Sequence, residues 1–228
     1  MHDPLVHIHK SVLMQRLLDA ACRGYHWHTH GSVSVDKAAR LSAKFAQLYR
    51  IDRNANQRAY AQRQGKANAR LFMFATETNS HLDWWLLCTD GDGAVHELER
   101  LQNAYDKRHR VRIGNDYELL RRTRKRGQGG GTVWSWRMTH VCLEHWRVRV
   151  INACRRRESL EVSRVLASLY RVPGFSGTRE QVGKLVNLAR TEWRRHHGDL
   201  EGLMLPPRLA YVERLPDTSV PLSELIKR

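Results

Sequence analysis

Residues 25–35 read YHWHTHGSVSV, a run in which aromatic and β-branched side chains alternate with small or polar ones. Alternation over this length predicts a β-strand, because successive side chains of a strand point to opposite faces. His26, His28 and His30 would then share one face of the strand. The sequence therefore predicts three imidazoles in a row along a single strand face.

The elements around this strand predict an α+β fold. A helix with an apolar face follows from Asp36, two apolar strands follow in turn, and a helix and a further strand complete the order strand, helix, strand, strand, helix, strand. That order is typical of the ferredoxin-like (βαββαβ) core. The predicted elements after the first strand are a helix from 36, strands at 69–76 and 82–89, a helix at 95–105 and a strand at 110–121.

The remainder of the chain predicts an extra β-hairpin and a helical extension. Residues 132–138 continue from a glycine-rich turn and pair with the preceding strand as a hairpin at one sheet edge. The flanking segments predict helices at 11–22, 139–154, 159–170 and 178–196, with a short strand near 208–213 and a small terminal helix. We therefore expect a ferredoxin-like nucleic-acid-binding core over residues 1–140 and a helical extension with a short C-terminal strand over residues 141–228.

The charge of the chain predicts a polyanionic partner. Lys and Arg number 39 and Asp and Glu number 23, so the formal net charge is +16. Most of the cations are arginines, whose planar guanidinium grips phosphate with two hydrogen bonds and stacks on bases. No apolar run of membrane-spanning length occurs, and the N-terminus lacks the layout of a signal peptide, so we expect a cytoplasmic protein without a membrane partner. The four scattered cysteines are expected to be buried thiols.

Three roles are open to the histidine face. Imidazole titrates near neutrality, so a histidine can take the proton of an RNA 2′-hydroxyl while an arginine stabilises the phosphorane. A His-x-His pair on a strand can also bind a metal beside a nucleophilic tyrosine, for which Tyr49 and Tyr170 are the candidates. The third role is structural, with the imidazoles hydrogen-bonded to their neighbours.

Arginine clusters predict where nucleic acid binds. Five cations occupy residues 121–126, before Gly127, and Trp134 and Trp136 follow the glycines. Cations beside aromatic rings are typical of phosphate and base recognition, whereas like charges in such a run repel one another until a polyanion meets them. The predicted nucleic-acid-binding residues are Arg110, Arg112, Arg121, Arg122, Arg124, Lys125, Arg126, Arg137, Arg155, Arg156 and Arg157.

The layout resembles that of the repeat-processing endoribonucleases of CRISPR systems, with the type IV systems nearest. The resemblance lies in a basic α/β chain, an arginine and histidines around the first core strand, and a glycine-rich basic loop. It implies metal-independent cleavage of a structured repeat RNA, without a cofactor, and retention of the product in a ribonucleoprotein complex. The positions that match the family's catalytic residues are Arg23, Tyr25, His26, His28 and His30.

Two alternatives from other classes stand beside that hypothesis. A plasmid or mobile-element DNA protein, either a replication initiator of the His-hydrophobic-His type or a transfer factor, would need a divalent metal and a tyrosine nucleophile. A non-catalytic nucleic-acid-binding module would show salt-dependent binding and no cleavage. RNA is favoured over DNA as the partner.

Overall fold

The computed structural model describes residues 3–75, 80–123, 127, 130–156, 159–206 and 208–225. Within them the protein is a mixed α+β chain that divides into two compact units. The first unit comprises residues 1–110 and 214–228, and the second comprises residues 111–213. The division therefore falls at residue 110, not at the predicted residue 140, because the hairpin of residues 117–138 belongs with the helices that follow it.

The first unit is built on a six-stranded mixed sheet. Its strands lie in the order β5-β2-β4-β3-β1-β9, with β1 parallel to β3 and every other neighbouring pair antiparallel. The elements are β1 (Leu5–His7), α1 (Lys10–Cys22), β2 (Trp27–Ser34), α2 (Val35–Tyr49), α3 (Ala55–Arg63), β3 (Ala69–Ala75), β4 (His81–Cys88), α4 (Ala94–Leu98), β5 (Gln102–Asn103), β9 (Val220–Pro221) and α8 (Leu222–Leu225).

Helix α2 covers one face of this sheet. Phe45 of α2 meets the Trp84 ring edge-on at a centroid distance of 5.5 Å, and the buried Leu86 and Cys88 of β4 belong to the same core cluster. Gly31 on β2 lies beneath Trp84, and a Cβ there would come within 2.8 Å of the indole. Glycine at position 31 therefore lets the tryptophan lie flat on the sheet. His28 and His30 alternate with Gly31 and so lie on the opposite face.

The C-terminal segment of the chain closes the first unit. Arg214 forms a two-pronged ion pair with Asp19 of α1, at 3.0 and 2.6 Å, and Arg16 reaches Asp217 at 3.1 Å. Strand β9 then pairs with β1, and Leu222 enters the core. These long-range contacts explain why residues 214–225 fold with the start of the chain.

The second unit combines a small sheet with three helices. Its sheet has the order β6-β7-β8, with both pairs antiparallel. Helix α7 packs on β8 and α5, and α5 also packs on α6. The elements are β6 (Arg112–Ile113), β7 (Tyr117–Thr123), β8 (Thr132–Met138), α5 (His140–Arg155), α6 (Ser159–Leu169) and α7 (Ser176–His197).

Several predicted elements differ from the observed ones. The helix expected at 95–105 ends at Leu98, because only Val95 of its supposed apolar face is buried, and β5 follows. The strand expected at 110–121 lies in the second sheet as β6 and β7, so the fourth strand of the predicted core order is β5 instead. No strand forms at 208–213 within the described residues. Strand β1 and helix α3 were not predicted.

The start of α7 fits closely against β8. Gly177 donates its amide to Ser135 Oγ at 3.0 Å, and a Cβ on Gly177 would lie 2.5 Å from the Trp136 carbonyl oxygen. Because that oxygen is backbone, we expect Gly177→Ala to lower the free energy of unfolding by roughly 1–3 kcal/mol. Urea denaturation measures the change. Gly183→Ala on the same helix is the matched control, since its Cβ meets nothing within 4 Å and alanine should stabilise the helix by about 1 kcal/mol.

Two further findings concern the membrane and the thiols. Among the described residues, no helix combines the length and the hydropathy that a bilayer crossing requires.

All four cysteines are free thiols. Cys88 and Cys154 are buried as predicted, and burial raises the pKa of each, to about 12 and about 11. Cys142 is half-buried and Cys22 is exposed, so the prediction of burial is wrong for Cys22.

Candidate nucleic-acid interface

The histidines of β2 separate into two environments. His28 and His30 share one strand face, with their ring centroids 6.3 Å apart and the rings nearly parallel. His26 precedes the strand, and its Nδ1 lies 2.9 Å from Gly24 O while its Nε2 lies 3.2 Å from an Asp90 carboxylate oxygen. Both ring nitrogens of His26 therefore face oxygen atoms, and this histidine anchors the start of β2.

Asp90 holds the beginning of β2 in place. The Trp27 indole N–H donates to Asp90 Oδ1 at 2.8 Å, and His26 reaches the same oxygen. The indole hydrogen bond, followed by the charge of His26, lowers the pKa of the Asp90 carboxyl. This contact has a sequence separation of more than 60 residues, so the strand pattern alone did not reveal it.

His28 is part of the core. It is fully buried, and its Nε2 lies 2.7 Å from His109 O, to which the protonated nitrogen donates. Its Nδ1 is buried too and has no hydrogen-bond partner in the part of the chain that the structure describes. Burial lowers the pKa of His28 to about 4. The ring is therefore neutral at physiological pH and is inaccessible to a substrate.

The five predicted catalytic residues do not share one exposed surface. Tyr25, His26 and His28 are buried, and burial raises the pKa of the Tyr25 phenol. Arg23 and His30 are exposed. Chemistry on a bound nucleic acid is thus open to Arg23 and His30 as the structure stands.

The two candidate tyrosine nucleophiles are both held in the neutral form. Tyr49 is buried and donates its hydroxyl to Glu99 at 2.6 Å. Burial and the glutamate raise the pKa of Tyr49, and burial also raises the pKa of Tyr170. Among the described residues, no group of three His, Cys, Asp or Glu side chains is assembled in a way that would hold a metal ion.

The hairpin of β7 and β8 presents different residues on its two faces. Arg121 stands directly across from Trp134, while Trp136, two positions along, is fully buried in the core. Arg122 lies on the other face and pairs with Glu180 of α7. The exposed Arg121 and half-buried Trp134 therefore form a cation and an aromatic ring side by side. The predicted residues Arg124, Lys125 and Arg126 lie outside the described residues.

Two of the predicted binding arginines have a structural partner instead. Arg137 reaches the Glu118 carboxylate at 2.7 Å through Nε and at 2.6 Å through Nη2, and Arg112 approaches it at 3.9 Å. Glu118 is buried, so these cations compensate a charge that would otherwise be costly to bury. Arg110 is half-buried at the end of the first unit.

The ends of helices α5 and α7 bring arginines to one end of the second unit. Near the start of α7, the side chain of Gln181 accepts a hydrogen bond from the backbone amide of Met138, which lies at the end of β8 just before α5 begins. Farther along both helices, Cys154 Sγ of α5 lies 3.7 Å from Ala189 O of α7. The two helices therefore run in the same direction. Their C-terminal residues are exposed arginines, namely Arg155, Arg156, Arg194 and Arg195. Arg157 lies outside the described residues.

The charges of the second unit reinforce this cluster, the α5–α7 arginine end. Residues 111–213 contain 20 Lys and Arg and 10 Asp and Glu, so they hold most of the net positive charge of the chain. Glu118 and Glu180 are each paired to cations within the unit. Cations also complement the negative ends of two helix dipoles, which explains part of their placement but not their number.

A second basic surface, over residues 50–66, was not predicted as a site. Here Arg50, Arg53, Tyr60 and Lys66 line an open cleft of about 620 Å³ between the end of α2 and helix α3. The sequence signal for it was the polar, Arg- and Gln-rich composition of the segment.

No protein-family model, no curated protein and no solved structure matches the chain.

Proposed function

We propose that the protein binds nucleic acid, with RNA favoured over DNA, through the basic surface of residues 111–213. The observation that carries the proposal is the α5–α7 arginine end, where the C-terminal ends of two helices with the same direction carry four exposed arginines. The unit that holds them has a formal charge of +10, from 20 basic and 10 acidic residues. Such a surface attracts phosphate and releases counterions when it binds. Trp134 beside Arg121 adds a stacking group of the kind that single-stranded RNA uses.

We further propose that the first unit contains a ferredoxin-like core. The supporting observation is the strand order β5-β2-β4-β3, in which all three neighbouring pairs are antiparallel. With α2 after β2 and α4 after β4, the chain order is βαββαβ. The additional strands β1 and β9 extend the sheet at one edge.

The activity proposed for this protein is metal-independent cleavage of a structured repeat RNA, as in the CRISPR repeat-processing endoribonucleases it resembles. His30 supports it, because its exposed imidazole lies on a core strand and suits removal of a 2′-hydroxyl proton. The oxygen so activated attacks the adjacent phosphorus, the bond from phosphorus to the 5′-oxygen breaks, and that oxygen takes a proton from solvent. The products end in a 2′,3′-cyclic phosphate and a 5′-hydroxyl. The exposed Arg23 is the proposed stabiliser of the phosphorane charge.

Sequencing of nucleic acid that co-purifies with the full chain in EDTA tests both parts of the proposal. Short RNAs that share a stem-loop and a cyclic phosphate end would support binding and cleavage, and His30→Ala should then leave uncut RNA bound. His9→Ala, another exposed histidine of the same unit, is the matched control. Bound RNA with random uncut ends would leave only a non-catalytic binding module. Bound DNA, with a protein–DNA adduct that needs a divalent metal, would favour the mobile-element alternative.

A further inference from the structure

The cleft over residues 50–66 lies on an unusually exposed helix. Ala61 is the one residue of α3 that is buried, and Tyr60 exposes 65% of its surface. The helix begins with a capping box between Asn54 and Gln57. The side-chain amide of Asn68 also donates a hydrogen bond to Arg58 O of this helix at 2.9 Å. Hydrogen bonds and a cap therefore hold α3 in place while it keeps an aromatic ring in solvent.

One cation of the cleft, Arg53, is held in a fixed place by hydrogen bonds. Arg53 is half-buried, and its Nη1 donates to Ala67 O at 3.0 Å and to Asn68 Oδ1 at 3.1 Å, which sets the orientation of the guanidinium. Arg50 ends α2 with φ at 53°, a left-handed conformation that glycine adopts at less cost. An arginine at this position keeps a second guanidinium at the cleft. Lys66 also lines the cleft, and it follows Gly65, whose φ is 69°.

The lining suits one class of ligand. Three cations face a single acidic side chain, Asp52, and the exposed Tyr60 ring stands among the amide side chains of Asn56, Gln57 and Gln64. Arginine and lysine bind phosphate, an aromatic ring stacks on a base, and amides hydrogen-bond to base edges. The volume of about 620 Å³ accommodates a ligand of nucleotide size.

We infer that this cleft binds an unpaired nucleotide of a single-stranded nucleic acid. The inference rests on the proposed function and deepens it, because it adds a site for single-stranded nucleic acid within the first unit. Tyr60 is the stacking residue, and Arg50, Arg53 and Lys66 bind the backbone phosphates. The shared chemistry is an unstacked base with its phosphate, from either RNA or DNA.

The test compares the affinities of the full chain for a blunt RNA hairpin and for a short single-stranded oligonucleotide, of RNA in one arm and DNA in the other. One base–aromatic stack corresponds to an affinity difference of about 5- to 100-fold. Tyr60→Ala should weaken binding of the single strand by that factor and leave the affinity for the blunt hairpin unchanged, while Tyr60→Phe should bind the single strand like the wild type. Gln62→Ala, exposed on the same helix outside the cleft lining, is the control.

A second readout locates the single strand directly. With 4-thiouridine in the oligonucleotide, irradiation should attach the RNA to residues 50–66, and Tyr60→Ala should remove that crosslink. A single strand that crosslinks elsewhere, or whose affinity does not depend on Tyr60, overturns the cleft assignment while the blunt hairpin still binds. A blunt hairpin that fails to bind would instead contradict the proposed function, and a single strand that still crosslinks to residues 50–66 would then support the cleft by itself.

Discussion

Replacing Arg155, Arg156, Arg194 and Arg195 together with glutamine should lower the affinity for RNA on the order of 10²–10³-fold at about 0.1 M salt. Each arginine that neutralises a phosphate releases a counterion, and log K falls with log salt by about 0.7–0.9 per phosphate contact. The slope of that plot should therefore become shallower by about three units in the fourfold variant. Fluorescence anisotropy across a salt series measures the affinity and the slope together.

A charge-matched variant separates a local contact from a general loss of charge. Lys37, Arg40, Lys44 and Arg100 are exposed cations of the first unit, and their replacement by glutamine removes the same formal charge. This control should change the affinity by less than about tenfold, since cations that contact no phosphate release no counterion. Equal losses in the two variants would mean that net charge alone drives binding and would remove the case for the α5–α7 arginine end.

The fourfold variant should lose no more than about 1–4 kcal/mol of stability. Cations in the last turn of a helix complement its dipole by about 0.3–1 kcal/mol each at exposed sites, and the effect is screened by salt. Thermal unfolding should therefore remain cooperative in both fourfold variants. An unfolded variant would also lose affinity, and its salt slope would then say nothing about the arginine contacts. A melting curve for each variant, measured with every titration, shows that the variant is folded.

The sequence predicted those elements whose apolar pattern matches their burial. Strand 132–138 has the predicted bounds, and α7 extends the predicted 178–196 by two residues at its start and one at its end. In α7 the apolar residues at helical spacing, Val182, Leu185 and Ala189 among them, are the buried ones. Local periodicity was sufficient there because the same residues form the core.

Elements held by contacts other than apolar burial were missed. Helix α3 buries one alanine, so it has no hydrophobic face to detect, and its sequence signal is the capping pair Asn54 and Gln57. The segment at 208–213 is a short apolar run between two charged residues, as in a short strand, but it is anchored differently. Arg179 donates to Leu209 O at 2.7 Å and lies 3.5 Å from the Tyr211 ring centroid. A side chain thus takes the place of a partner strand.

The candidate site could be predicted only in part, because exposure depends on distant segments. Alternation correctly places His28 and His30 on one face of β2. It cannot show that His109, 81 residues later, supplies the carbonyl that buries His28. In the same way it cannot show that Asp90, which is distant in the sequence, lies within 3.2 Å of His26 Nε2. The charged clusters were easier to find, since exposed arginines are recognisable without knowledge of the tertiary contacts.

Acidification should destabilise the first unit through His28. The ring is neutral in the folded protein, with a pKa lowered by burial from 6.5 to about 4. Between these two values the unfolded chain binds a proton that the folded chain does not, so stability falls as the pH falls. From about pH 7 to about pH 4.5 this difference costs about 2–3 kcal/mol, with each pKa unit worth about 1.4 kcal/mol.

Burial also lowers the pKa of His7, so the wild-type protein should lose further stability over the same range. His28→Gln isolates the contribution of His28, because glutamine does not titrate and its amide can still donate to the His109 carbonyl. The pH dependence of the free energy of unfolding should shrink by about 2–3 kcal/mol in this variant. His9→Gln, an exposed histidine in the same unit, should leave the pH dependence as it is in the wild type.

The outcome for His28 bears on the chemistry of the site as well as on stability. Urea denaturation at the two pH values, followed by tryptophan fluorescence, gives the two free energies of unfolding needed for each protein. If His28→Gln keeps the wild-type pH dependence, His28 is protonated in the folded protein and must be accessible to solvent, which would return it to the set of acid–base candidates. If the dependence shrinks as expected, a neutral and buried His28 supports the strand, and proton transfer to RNA falls to the exposed His30.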